Sequence, residues 1–272
     1  MKIFILALDG LDYNLVVKWK MNNLLQTYHG KVDVSDFEQL YGHIYTPAVW
    51  AAFLTGKYHP ELRRWFTYDN RLLRWIMLKL SAPNIKRMMN LLWRFGITPR
   101  VVDKRDLIDK TIFYYALKPV AVNVPVYSEP AEYHYRLRQA LLNGGVKQYE
   151  IEVWRIHQER VNKTLTALNE NPDYDLFMTW FALADLIGHL HIAKRPHKVF
   201  EAYSKLDNLA FTLKKLSNAD VFLIVSDHGM VPASDGTGDH SNYAFYSSNI
   251  ELEPKPKKIT DYFNIILKLL KS

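Results

Sequence analysis

Ala219–Met230 reads ADVFLIVSDHGM. Within it, Val221–Val225 is an unbroken apolar run rich in β-branched residues. That is the composition of a strand buried on both faces, as in a parallel sheet with helices on either side. The run stops abruptly at Ser226-Asp227-His228-Gly229. In open α/β sheets ligands bind just beyond the carboxyl ends of the strands. An acid and an imidazole there, with a glycine for the turn, have the chemistry of metal ligands. Taken alone, a helix-capping Asp and a surface His is the simpler reading. The rest of the chain decides between them.

Upstream, Tyr174–Phe181 (YDLFMTWF) is a second buried strand, leading into Ala182–Ile192 (ALADLIGHLHI). Asp185 and His189 stand at i, i+4, which puts a carboxylate and an imidazole on one helical face, a spacing suited to one metal ion. Separately they read as a cap and a surface residue. His191 points elsewhere, and His197 is taken as structural. His197–Leu216 is an amphipathic helix feeding the strand at Val221. Downstream, glycine-rich Gly236–His240 offers another imidazole, which a closing strand at Tyr243–Ser247 is expected to hold. Asp239 is read as orienting an imidazole or as solvated. Ile250–Lys257 is a linker and Ile259–Leu270 a terminal helix.

Lys2–Leu8 is a buried strand followed by Asp9-Gly10, then a helix from Tyr13 to about Thr27. Asp-Gly is an ordinary turn pair; it also projects a carboxylate over the sheet edge. Thr46-Pro47 opens the short apolar helix Ala48–Leu54. Proline suits the first helical position and threonine before it serves as N-cap. The alternative is that Thr46 uses a helix N-terminus, where an anion is favoured, as a nucleophilic hydroxyl. Lys118–Val126 is a further strand. Glu132–Leu142 is a helix that stops at Asn143-Gly144-Gly145, and Tyr149–Leu168 is a long one with Ile151, Trp154, Val161, Leu165 and Leu168 on its apolar face.

Lys57–Lys110 reads as an insertion without a buried strand, with helices over Arg71–Leu80 and Pro83–Phe95. From Arg71 to Phe95 there are six basic residues and no acidic one. A helical cap over the active-site mouth is the first reading, a substrate-binding wall the second, a basic surface for anionic membranes the third.

At 272 residues with 49% hydrophobic content, the chain can bury one large α/β core. It is read as a single domain, 1–272. The absence of cysteine excludes disulfides, thiolate zinc fingers and thiol nucleophiles, and fits the cytoplasm. MKIFILALDG is not read as a signal peptide, because its apolar run is short and Asp9 interrupts it. No stretch approaches the roughly 20 apolar residues of a membrane span. The net charge of +7 favours anionic partners such as phosphate esters or nucleotides. No nucleic-acid module is recognisable.

Asp9, Thr46, Asp185, His189, Asp227, His228 and His240 all stand at expected strand ends. Three Asp, three His and a hydroxyl suit two divalent ions, zinc or manganese rather than magnesium or calcium. Two ions about 3.5–4 Å apart stabilise both the entering and leaving oxygens of an in-line displacement.

The chain resembles the alkaline phosphatase superfamily, and within it the type I phosphodiesterase/nucleotide pyrophosphatase family. The resemblance lies in LALDG, TPAVWAAFLTGKYHP, ADLIGHLHI, VSDHGM and GDHSNYAFYS, in the family's order from Leu6 to Ser247. It implies an alkaline phosphatase-like α/β core, a mostly parallel sheet sandwiched by helices, with 57–110 as a helical cap insertion. It implies one metal held by Asp9, Asp227 and His228 with Thr46 as the nucleophile, and another held by Asp185, His189 and His240. A phospho-threonine intermediate at Thr46 follows. The family's His-Gly and phosphate-orienting asparagine have no direct counterpart in HPELRRWFTYDN. Asn70 is the expected substitute for substrate binding, with Thr67 and Arg64 as alternatives. The implied reaction is hydrolysis of phosphate diesters or nucleotide pyrophosphate bonds. A phosphomonoesterase or phosphonate hydrolase is the alternative, and a non-catalytic membrane- or partner-binding protein the remoter one.

Overall fold

The structure is a computed structural model describing residues 1–80, 84, 87–89, 91–92 and 95–272. In chain order the strands are β1 (Ile3–Leu8), β2 (Tyr28–Asp33), β3 (Phe66–Thr67), β4 (Arg100–Val101), β5 (Pro119–Val122), β6 (Leu176–Phe181), β7 (Val221–Val225), β8 (Gly229–Pro232), β9 (Gly238–Ser241) and β10 (Tyr243–Ser248). The main helices are α1 (Tyr13–Lys18), α2 (Ser35–Tyr41), α3 (Thr46–Thr55), α4 (Arg71–Lys79), α5 (Ile112–Tyr115), α6 (Ala131–Glu170), α7 (Leu183–His191), α8 (Pro196–Ser217) and α9 (Asp261–Lys271).

Six strands form one sheet in the order β2-β10-β7-β1-β6-β5. β7, β1, β6 and β5 run parallel, while β10 is antiparallel to both its neighbours. Every residue of β1, β6 and β7 is buried, as their apolar runs require. Side chains of β1 alternate between two cores. Ile3, Ile5 and Ala7 meet α3 and α9 on one face; Phe4, Leu6 and Leu8 meet α8 on the other. Helices therefore cover both faces of a mostly parallel sheet, the expected α/β architecture.

Local expectations needed correction in three places. The first helix ends at Lys18, not near Thr27, because Asp207 accepts the backbone N–H groups of Asn23 and Leu24 at 2.9 and 3.0 Å and draws the chain into turns. β2 then pairs with β10; its sequence YHGKVD carries too little apolar pattern to read as a strand. The third concerns α6, which breaks into a hairpin of two helices at Gly145 (φ 65°, ψ −160°), as the Asn143-Gly144-Gly145 signal predicts, but whose second arm buries a different face. Arg136 donates to Glu152 and Glu159 at 2.7 Å. A straight helix would hold Arg136 and Glu152 roughly 24 Å apart. The second arm buries Val153, Ile156, Arg160, Thr164 and Leu168, so its inner face is rotated from the expected one and Ile151 is exposed.

Segment 57–110 contains the small ribbon β3–β4 and α4. Tyr68, Met77 and Leu92 make a separate small cluster there. The helix expected over Pro83–Phe95 falls partly outside the described residues. Among the described residues no helix is long and apolar enough to cross a membrane.

Candidate active site

Three parallel strands deliver acids to one edge of the sheet. Asp9 follows β1, Asp227 and His228 follow β7, and Asp185 lies in the first turn of α7, just after β6. The backbone locks them together. Asp185 N–H donates to the Asp9 carbonyl at 3.1 Å, and Gly10 N–H donates to Asp227 Oδ1 at 3.2 Å. Gly10 has φ +68°, and a Cβ there would stand 2.7 Å from the Asp185 Cα. Only glycine lets α7 close this tightly on the end of β1.

Thr46 enters from α3. Tyr45 (φ −98°, ψ 118°) occupies the N-cap, Thr46 is the first helical residue, and Pro47 follows. Thr46 is therefore not the cap that its place before proline suggests. Its Oγ1 instead lies 3.5 Å from Asp9 Oδ1 and 3.4 Å from His228 Nε2.

His240 arrives on the β8–β9 hairpin, opposite Met230, and not by way of β10. Its ring stacks on His228 with centroids 3.5 Å apart. His228 Nε2 lies 3.3 Å from both Asp9 Oδ1 and Asp227 Oδ2. His189 Nε2 lies 3.1 Å from Asp185 Oδ1 and 3.0 Å from His240 Nε2. Asp185 Oδ1 is 3.5 Å from His240 Nε2 and 3.9 Å from His228 Nε2, so His228 borders both groups.

These residues fit divalent cations. Nδ1 of His228, His189 and His240 faces the carbonyls of Gly229, Gly238 and Ile44 at 3.0, 2.7 and 2.8 Å. Each carbonyl accepts an Nδ1–H, leaving the Nε2 lone pair directed into the cluster, as a metal ligand requires. Asp227 Oδ2 and Asp185 Oδ1 are buried acceptors without a hydrogen-bond donor. Buried carboxylates in this state are costly unless a cation neutralises them. Mixed imidazole and carboxylate donors suit zinc or manganese.

The electrostatics carry the same strain. Burial, then Asp227 and Asp185, raise the Asp9 pKa well above the usual carboxylate range. Burial pushes His228 down to about 4. At Asp185 burial acts upward, but His189 and His240 outweigh it and hold the carboxyl well below its usual range. With no cation present, burial opposes the His189 charge but Asp185 raises its pKa to about 9, so a proton on Nε2 would have to leave for a metal ion to bind there.

Asp9, Thr46 and Asp185 open onto a cavity of about 340 Å³. Trp65, Phe66, Tyr133, Leu137 and Trp180 supply much of its wall, with Glu129, His134, Arg138 and Arg160 among its polar groups. Arg160 Nη2 donates to Glu129 Oε1 at 2.6 Å, and its guanidinium lies 4.4 Å from the Trp180 ring centre. Burial favours a neutral Glu129, but His134 and Arg160 outweigh it and lower its pKa. Sequence reading missed this trio. One signal was present: Arg160 keeps the i, i+4 spacing of the buried stripe Ile156–Arg160–Thr164.

Asn70 is not brought to the site. It is exposed, caps α4 by accepting from Leu72 and Leu73 N–H at 2.9 and 3.1 Å, and does not line this cavity. Arg64 is turned to the Met77 and Leu80 carbonyls, and Thr67 lines a second cavity beside α4. His191 pairs with Glu150 at 3.1 Å, as expected of a residue pointing elsewhere.

Comparison with known proteins agrees with the fold. The human ectonucleotide pyrophosphatase / phosphodiesterase 5 structure is similar over 86% of this chain at 14% identity, with a TM-score of 0.50. The chain spans 59% of that relative's length. The alkaline phosphatase of the Antarctic bacterium TAB5 is similar over 99% of this chain and 97% of its own, at 11% identity and a TM-score of 0.53. No curated protein matches at the sequence level. The family model for type I phosphodiesterase / nucleotide pyrophosphatase matches residues 3–255. With nearly its whole length matched and the fold in agreement, the chain belongs to the type I phosphodiesterase / nucleotide pyrophosphatase family.

Proposed function

We propose that the protein hydrolyses phosphate diesters or nucleotide pyrophosphate bonds through a covalent intermediate on Thr46, at a site for two divalent ions. The observation that carries this reading is Thr46 Oγ1, free of capping duty and within 3.5 Å of Asp9 and His228. Asp9, Asp227 and His228 would hold one ion; Asp185, His189 and His240 the other. When bound, such ions supply positive charge that favours ionised hydroxyl and water and steadies the oxygens of an in-line displacement.

The chain's own groups do the rest. Thr46 Oγ1 forms the bond to phosphorus as the ester oxygen departs and takes a proton. Water then attacks phosphorus, the Oγ1–P bond breaks, and Thr46 regains its proton. The backbone contacts of Asp9, Gly10 and Asp185 keep the carboxylates in place throughout. The 340 Å³ cavity receives the rest of the substrate. Segment 57–110 is read as a cap, because its Trp65 and Phe66 wall that cavity. Zinc is the preferred metal on donor chemistry, and the cysteine-free chain suits the cytoplasm.

Hydrolysis of bis(p-nitrophenyl) phosphate and of p-nitrophenyl phosphate, each with and without chelator, tests this reading. Chelator-sensitive cleavage favouring the diester is expected. Preference for the monoester would move the assignment to a phosphomonoesterase. No cleavage of either after metal loading would remove it.

A further inference from the structure

α4 is apolar on two sides. Its inner side, Leu73 and Met77, packs with Tyr68 and Leu92. Its outer side carries Leu72 and Trp75, 65% and 60% exposed, with exposed Lys79 on the same face at i, i+3, i+7 spacing. Among the described residues no core cluster includes Leu72 or Trp75. Elsewhere in the segment Leu91 and Phe95 are also exposed.

The charge around this stripe has one sign. No acidic residue occurs between Arg71 and Phe95. The acids flanking the segment in the chain are paired: Asp69 with Arg100 at 2.6 Å, Asp103 with Arg105 at 2.6 Å, and Asp106 with Arg100 and Arg74 at 2.6 and 3.3 Å. Among the described residues no ion pair involves Lys79 or Arg87, both exposed. Apolar side chains with tryptophan, set among cations, fit the boundary between acyl chains and anionic headgroups. A second copy of the chain fits poorly. A two-fold dimer through this face would set the same cations against each other.

We propose that the outer face of α4 docks the protein onto anionic lipid bilayers, with Leu72 and Trp75 entering the headgroup boundary and Lys79 meeting the lipid charge. This surface is separate from the residues lining the active-site cavity, and the inference stands independently of the reaction assigned above.

Co-sedimentation with phosphatidylglycerol vesicles and with phosphatidylcholine vesicles tests it, on the full chain loaded with zinc. Binding to the anionic vesicles alone is expected, weakened by salt. Leu72→Gln with Trp75→Gln should reduce it at least about tenfold while leaving the melting temperature and soluble-ester hydrolysis close to wild type. Because the chain has no cysteine, a single Leu72→Cys can carry an environment-sensitive fluorophore. Its emission should shift to the blue on anionic vesicles. No binding, equal binding to both lipids, or undiminished binding of the double variant would overturn the proposal. So would a dimer in solution that the double variant dissociates, since a second copy would then cover the face.

Discussion

Thr46 Oγ1 stands 3.4 Å from Nε2 of His228, although 182 residues separate them in the chain. His228 also lies within 3.3 Å of Asp9 and Asp227 and 3.9 Å of Asp185, so it borders both candidate metal groups. His228→Ala should therefore lower metal content beyond a single ion per chain, whereas His189→Ala, on the outer side of one group, should spare the other ion. Elemental mass spectrometry on the two purified variants reads the difference.

Asn70→Ala should cost about 1 kcal/mol of stability, the usual loss for an N-cap, because Asn70 Oδ1 accepts two backbone N–H groups of α4. Diester turnover should stay near wild type. A denaturant titration and an initial-rate assay on the same preparation check both halves. A large rise in KM with stability unchanged would restore Asn70 to substrate binding.

Arg160→Leu should be far more damaging. It leaves buried Glu129 with His134, 3.2 Å away, but without its 2.6 Å arginine partner, and breaking a buried charge pair costs roughly 3–5 kcal/mol. Combining it with Glu129→Gln should recover part of that loss. Chemical denaturation of the two single variants and the double variant measures the coupling.

The sheet and most of the candidate site were legible because the signals were local. β1, β6 and β7 are continuous apolar runs; β1 and β7 lead straight to Asp9 and to Asp227-His228, and β6 leads to Asp185 in the first turn of α7. What was not legible depended on distant partners. α1 is cut short by Asp207, almost 190 residues away, and β2 exists as a strand only beside β10. Thr46 looked like a cap because proline follows it, yet the backbone of Tyr45 takes that position. Asn70 looked like a ligand by its place in the order of motifs, while its actual work is the start of α4. Arg160 was passed over because a charge in an amphipathic helix reads as solvent-facing until Glu129 and Trp180 are seen around it.

His157 gives a pH signature. It is buried beside Phe181 with Nδ1 unpartnered, and burial first, then Arg160 and Lys205, push its pKa down to about 4. The unfolded chain binds this proton below about pH 6.5 while the folded one does not until about pH 4. Its contribution is thus intact above pH 6.5 and is lost as pH falls towards 4, by up to roughly 3 kcal/mol. His157→Phe should flatten the stability curve in that window, as denaturant midpoints at several pH values would show.

The most direct test of the account is Thr46→Ala, with metal content and diester turnover measured on one sample beside wild type. Two divalent ions in both proteins and turnover reduced by at least roughly a thousandfold in the variant are predicted. Undiminished turnover in Thr46→Ala would contradict a covalent intermediate at Thr46, and absence of bound metal in an active wild type would contradict the two-ion site.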